Sequence, residues 1–203
     1  MDIGIIGFGV VGKAAANTLQ KYYRIIKYDK YQELDSFQEL AMCKFVFIVV
    51  PTPFDCKVNA VDDSAITESL RRLDNISFSN TVIIKSTVPP GFCQKYNELY
   101  DFKIVFNPEF LRESTTPNDD FENQDTIVIG TEDESVFISV KKMYEKIAVS
   151  HAKYYHTSIK EAEMIKCAQN TMLASRVALS NMIYDACKSN DVDYKKMIIA
   201  LYL

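Results

Sequence analysis

The stretch that most narrows what this chain can fold into is its start, MDIGIIGFGVVGKAAANTL. Ile3 to Ile6 read as a short apolar strand. Gly7, Gly9 and Gly12 follow at G-x-G-x-x-G spacing. Ala14, Ala15, Leu19 and Tyr22 then recur with the period of a helix. Three glycines so spaced are a weak signal alone, but a strand before them and a helix after them give each one a task. The first permits a tight turn, the second lets backbone approach a pyrophosphate, and the third lets helix and strand close on one another. The helix start at Val10 and Val11 offers free N–H groups and the positive end of the helix dipole to phosphates.

The rest of the chain repeats the theme. Ile25–Asp29, Phe45–Val50, Thr81–Lys85, Lys103–Phe106 and Thr126–Ile129 read as strands. The third is apolar almost throughout, as a strand buried on both faces must be. Between them fall a short helix near Phe37 and Leu40, one from Asp63 or Ser64 through Leu73, and one over Asp133–Ile147. Strands alternating with helices predict an α/β fold of Rossmann type, a doubly wound parallel sheet. That sheet occupies residues 1–150, followed by a helical segment over 157–203. From Ser158 to Ser189 there is no Gly or Pro, and Ala, Met, Leu and Ile recur at helical spacing. A helix of this length, apolar on more than one face, needs a partner chain or a further domain to cover it. Two such helices in contact about a two-fold axis would make a homodimer.

Composition excludes several classes. With a net charge of −4 and no basic stripe, nucleic acid is not an expected partner. No apolar run reaches the ~18 residues that span a bilayer, so no membrane is expected. The start lacks the basic region of a signal peptide, which points to the cytoplasm. The five cysteines are scattered with no C-x-x-C pair, so neither disulfides nor a metal site is expected.

Asp29 closes the second strand, where a carboxylate can accept hydrogen bonds from the adenosine ribose and repel a 2′-phosphate. The expected cofactor is therefore NAD rather than NADP. A solvated strand end would look the same. Ligands of open α/β sheets sit at the carboxyl ends of the strands. The loops there contain Thr52 (in Pro51-Thr52-Pro53), Thr87 (in STVPPG) and Asn107-Pro108-Glu109. Thr52 and Thr87 offer hydroxyls to a nicotinamide ribose or a water, or simply cap turns. Lys166 and Asn170 lie four apart in the long helix and share a face with Glu163. A lysine and an amide there could stabilise an alkoxide or an oxyanion. A solvated helix surface carries the same residue types.

At "VPTP", "KSTVPPG", "NPEFLREST" and "EAEMIKCAQNTMLASRVALSN" the chain resembles the nucleotide-sugar dehydrogenases, the UDP-glucose and GDP-mannose 6-dehydrogenase family. These oxidise a sugar C6 alcohol to a carboxylate with NAD. The resemblance implies a nucleotide-sugar substrate, with UDP-glucose favoured over GDP-mannose. It implies that Glu109 is an acid/base in thioester hydrolysis, that Glu113 faces cofactor and substrate, and that Thr87 holds a water. It implies that Lys166 and Asn170 contact the reacting C6 oxygen. Cofactor contacts are expected at Gly7, Gly9, Val10, Val11, Gly12, Asp29, Thr52, Thr87 and Glu113.

Two departures stand beside the resemblance. The link from Lys30 to Lys44 is shorter than is usual in the family. No segment resembles F-G-G-x-C-x-x-K-D, which carries the family's nucleophilic cysteine, so the chain alone is expected to lack the complete reaction. Two alternatives are a dehydrogenase of the 6-phosphogluconate or β-hydroxyacid type, which lacks the Asn-Pro-Glu-Phe-Leu-Arg-Glu segment, and a non-catalytic NAD-binding dimerisation module.

Overall fold

The computed structural model describes residues 1–112 and 115–201. In chain order the strands are β1 (Asp2–Ile6), β2 (Arg24–Tyr28), β3 (Phe45–Ile48), β4 (Phe54–Asp55), β5 (Ala60–Val61), β6 (Thr81–Ile84), β7 (Lys103–Phe106), β8 (Thr126–Gly130) and β9 (Lys153–Thr157). The helices are α1 (Val10–Leu19), α2 (Ser64–Asn75), α3 (Phe92–Asn97), α4 (Pro117–Glu122), α5 (Glu134–Tyr144), α6 (Ile159–Ser189) and α7 (Tyr194–Leu201). Phe37–Met42 forms a 3₁₀ turn. Two compact units result, residues 1–166 and residues 167 onward.

The first unit is built on a sheet in the order β2-β1-β3-β6-β7-β8-β9. The first five of these strands pair in parallel, as do β8 and β9. Strand residues alternate between two apolar layers. Val46, Ile48, Val82, Ile84 and Ile104 point to one, with Ile66, Leu70 and Leu73 of α2. Phe45, Phe47, Ile83 and Val105 point to the other, with Ala14, Ala15 and Leu19 of α1 and Val140 and Tyr144 of α5. Both faces are covered, which is why β3 is apolar at every position. The expected doubly wound α/β architecture is the one observed.

The structure adds detail to the expected order. The strand from Phe45 ends at Ile48. Val49 and Val50 instead line the crevice above the sheet. The β4–β5 hairpin, α3, α4, α7 and β9 carry too few residues or too mixed a pattern to read as elements. β7 meets β8 in one antiparallel pair, Phe106 opposite Gly130, the last residue of each strand. Among the described residues only the short α4 intervenes between those two strands, and it packs on α1. A parallel return needs a crossover that runs back down the sheet.

The second unit consists of α6 beyond Lys166 and α7. No Gly or Pro interrupts α6, and its start is fixed by a capping box. The Ser158 N–H donates to Glu161 Oε2 at 2.8 Å, and the Glu161 N–H donates to Ser158 Oγ at 3.2 Å. Within the unit Met172, Leu173, Val177, Leu179 and Met182 are each more than half exposed. No described helix is long and apolar enough to cross a membrane.

Candidate active site

The glycine loop closes on itself through two contacts that admit no side chain. Gly7 has φ +95°, and a Cβ there would lie 2.4 Å from the Val49 carbonyl oxygen. A Cβ on Gly12 would lie 2.0 Å from the Gly7 carbonyl oxygen. Gly9 differs: nothing lies within 4 Å of the place its Cβ would take. The backbone before α1 therefore faces open space, no side chain caps the helix, and its first turn holds no acidic residue. Free N–H groups around an open cradle suit a diphosphate.

Asp29 holds this loop. Its Oδ2 accepts the Phe8 N–H at 2.7 Å and its Oδ1 accepts the Tyr31 N–H at 2.9 Å. The Gly7 N–H reaches the Tyr28 carbonyl at 2.9 Å. The carboxylate is half-buried, so it is more than a solvated strand end. It borders a cavity of about 450 Å³ with Gly7, Gly9, Tyr28, Val50 and Arg72. The Arg72 guanidinium forms a wall there, 3.9 Å from the Phe37 ring centre and donating to the Tyr28 hydroxyl at 2.5 Å.

A second cavity of about 410 Å³ shares Gly9 with the first. Val10, Val11, Thr52, Thr87, Glu109 and Lys166 line it. The loops around it are stitched together. Thr52 Oγ1 donates to the Thr87 carbonyl at 2.8 Å, and Ser86 Oγ donates to the Val50 carbonyl at 2.7 Å. The Thr52 proton is thus spent on the scaffold, leaving its lone pairs for a ligand.

The floor of this cavity holds a charged network that the sequence reading missed. Lys85 follows the last residue of β6 and is buried. Its Nζ donates to Asn107 Oδ1 at 2.7 Å and lies 3.0 Å from Glu109 Oε2. The Tyr144 hydroxyl donates to Asn107 Oδ1 at 2.6 Å, and Asn107 Nδ2 donates to the Val128 carbonyl at 2.6 Å. Burial opposes the Lys85 charge, but the carboxylate of Glu109 and the Tyr144 hydroxyl outweigh it and hold the ammonium above its ordinary range.

Lys166, at the start of α6, donates from Nζ to the Glu109 backbone carbonyl. Glu163, one turn earlier, is fully buried. Its Oε2 accepts the Gly91 N–H at 2.5 Å and its Oε1 accepts the Cys93 N–H at 2.8 Å. The solvated-surface alternative for this helix face is thereby overturned for Glu163. That residue ties the loop carrying Thr87 to the helix carrying Lys166. Asn170 belongs to the second unit and is exposed there. Glu113 lies outside the described residues.

Residues 19–148 match the NAD binding domain of the UDP-glucose/GDP-mannose dehydrogenase family, and residues 160–203 match that family's central domain. The glycine loop precedes the first matched span. A UDP-glucose 6-dehydrogenase of Rickettsia bellii is 32% identical over 187 residues, covering 88% of this chain and 43% of the relative. One from Bacillus subtilis is 32% identical over 163 residues, covering 76% and 36%. The chain therefore spans less than half the length of these relatives. A UDP-glucose dehydrogenase from Pyrobaculum islandicum superposes with a TM-score of 0.88 at 24% identity, covering all of this chain and 56% of the other. A GDP-mannose dehydrogenase from Pseudomonas aeruginosa does so with 0.84 at 24%, covering 98% and 56%. These two likenesses bear on the fold.

Proposed function

Because the chain belongs to the UDP-glucose/GDP-mannose dehydrogenase family, with NAD as its cofactor, we propose that it works in oxidising the C6 alcohol of a nucleotide sugar, UDP-glucose before GDP-mannose. The observation that carries this reading is the shared crevice: one cavity bounded by the glycine loop and Asp29, the next by Thr87, Glu109 and Lys166. The first is sized and charged for the adenosine and diphosphate, with the ribose hydroxyls donating to the free lone pairs of Asp29. The second would take the nicotinamide and the sugar. NAD, when bound, accepts the hydride from C6.

This chain's own residues have separate tasks. The Lys166 ammonium stabilises negative charge developing on the C6 oxygen, with Asn170 as a second donor. Glu109 takes up and returns a proton at the cavity floor. Thr87 offers its hydroxyl to a water, and Glu113 faces cofactor and substrate. Thr52 braces the two loops and completes the ribose subsite. Residues 1–150 form the cofactor domain, and 157–203 begin the helical one. Two copies pair through α6, burying the exposed apolar side chains from Met172 to Met182.

The experiment is the appearance of NADH at 340 nm with UDP-glucose and NAD, and with GDP-mannose in parallel. NADH formation that Lys166→Ala reduces at least a hundredfold, with NAD affinity unchanged, is the expected result. Turnover that Lys166→Ala and Glu109→Gln both leave intact would contradict the assignment.

A further inference from the structure

The roles given to Glu109 and Lys166 leave one buried charge without a task. Lys85 is 3% exposed, and a lysine so placed persists in charged form only beside a compensating partner. Several elements packed around the pair contribute. The loop after β7 supplies Asn107 and Glu109 itself. α5 supplies Tyr144, whose hydroxyl is 3.4 Å from the Lys85 ammonium. α4 supplies the Phe121 ring, with its centre 5.5 Å away. α6 supplies Lys166, which donates to the Glu109 backbone carbonyl. On the Glu109 carboxylate, Oε1 accepts the Phe110 N–H at 2.9 Å, while Oε2 meets Lys85 at 3.0 Å.

We propose that Lys85 is a positioning residue for Glu109, pinning its carboxylate at the cavity floor so that a substrate meets it in one fixed orientation. The inference rests on the acid/base reading of Glu109. The ammonium is itself fixed from behind: Asn107 receives both it and the Tyr144 hydroxyl, and is anchored in turn to the Val128 carbonyl. A carboxylate paired with so rigid a cation has little freedom to swing. Without that cation it would stand buried beside no compensating charge and be free to leave this orientation.

Carbon-13 NMR of the chain labelled at glutamate side-chain carboxyls reads the surroundings of each carboxylate, with Glu109→Gln identifying the resonance. The parent should show one sharp Glu109 resonance, and Lys85→Met should displace and broaden it as the side chain loses its fixed orientation. A folded Lys85→Met with an unmoved Glu109 resonance overturns the proposal. If Lys85→Met does not fold, Lys85→Met/Glu109→Gln decides. A double variant that recovers thermal stability over the single one supports the pairing, because the orphaned charge is gone. One that remains as unstable overturns it, because Lys85 would then serve Asn107 and Tyr144 alone. Neither readout uses turnover. A failure of the acid/base reading, seen as catalysis indifferent to Glu109→Gln, is thus distinct from a failure of the pairing.

Discussion

The two compact units place their apolar side chains in opposite ways. In residues 1–166 each central strand sends alternate residues into one of two closed layers, and the largest side chains, Phe45, Phe47, Phe102 and Tyr144, are fully buried. In the second unit Met172, Val177 and Met182 stand in the open. The first unit holds the core that stabilises it. The second has helical propensity with its apolar side chains exposed among the described residues, and most helical stability comes from packing an apolar face. The difference separates the two readings: the crevice lies in the first unit, and the proposed dimer rests on the exposed face of the second.

The contrast breaks most severely inside the first unit. Gly12→Val places a side chain against the Gly7 carbonyl, where even a Cβ would lie at 2.0 Å. The helix must retreat from the loop, at a cost of about 3 kcal/mol or more. Thermal denaturation should show the fall, and calorimetric titration should show NAD binding lost. Next comes Glu163→Ala, which strips two charge-assisted bonds from Gly91 and Cys93. About 2 to 3 kcal/mol should disappear from the unfolding free energy in urea.

The second unit should respond in another currency. Val177→Asp and Met182→Lys together should raise the dimer dissociation constant about 30-fold, from roughly 2 kcal/mol of burial penalty, and leave NAD affinity unchanged. Analytical ultracentrifugation reads this. A parent chain already monomeric at micromolar concentration would remove α6 as the dimer surface.

How much of this was visible in the sequence varies by residue. The glycine loop was legible because close backbone approach admits no side chain at Gly7 and Gly12, and Asp29 because it stands at the end of the second strand. Glu109 and Lys166 were legible through the family resemblance, and the fold brings them to one cavity. Lys85 was not, because a lysine after an apolar strand ordinarily marks the strand's emergence into solvent. Its one signal is position: it follows a strand at the centre of a sheet covered on both faces, level with the loops that line the crevice. Helical spacing put Glu163 on one face with Lys166 and Asn170 and left a solvated surface open as the alternative, because spacing shows a face but not what covers it. The single antiparallel pair of β7 and β8 was hidden because no helix reads between Lys103–Phe106 and Thr126–Ile129, so alternation does not fix the direction of that step. α3 and α4 span six residues each, too few for periodicity to register.

The smallest expected effect bears on the crevice itself. Asp29 meets the loop through Phe8 and Tyr31 and would meet the adenosine ribose on the other side. Calorimetric titration of NAD and NADP onto the parent and onto Asp29→Ala tests the account most directly. The account predicts that the parent binds NAD at least tenfold more tightly than NADP, about 1.4 kcal/mol. It predicts that Asp29→Ala weakens NAD, narrows the gap and leaves the chain folded, because a carboxylate is what repels the 2′-phosphate. Equal affinity of the parent for both cofactors, or a preference untouched by Asp29→Ala, would contradict it.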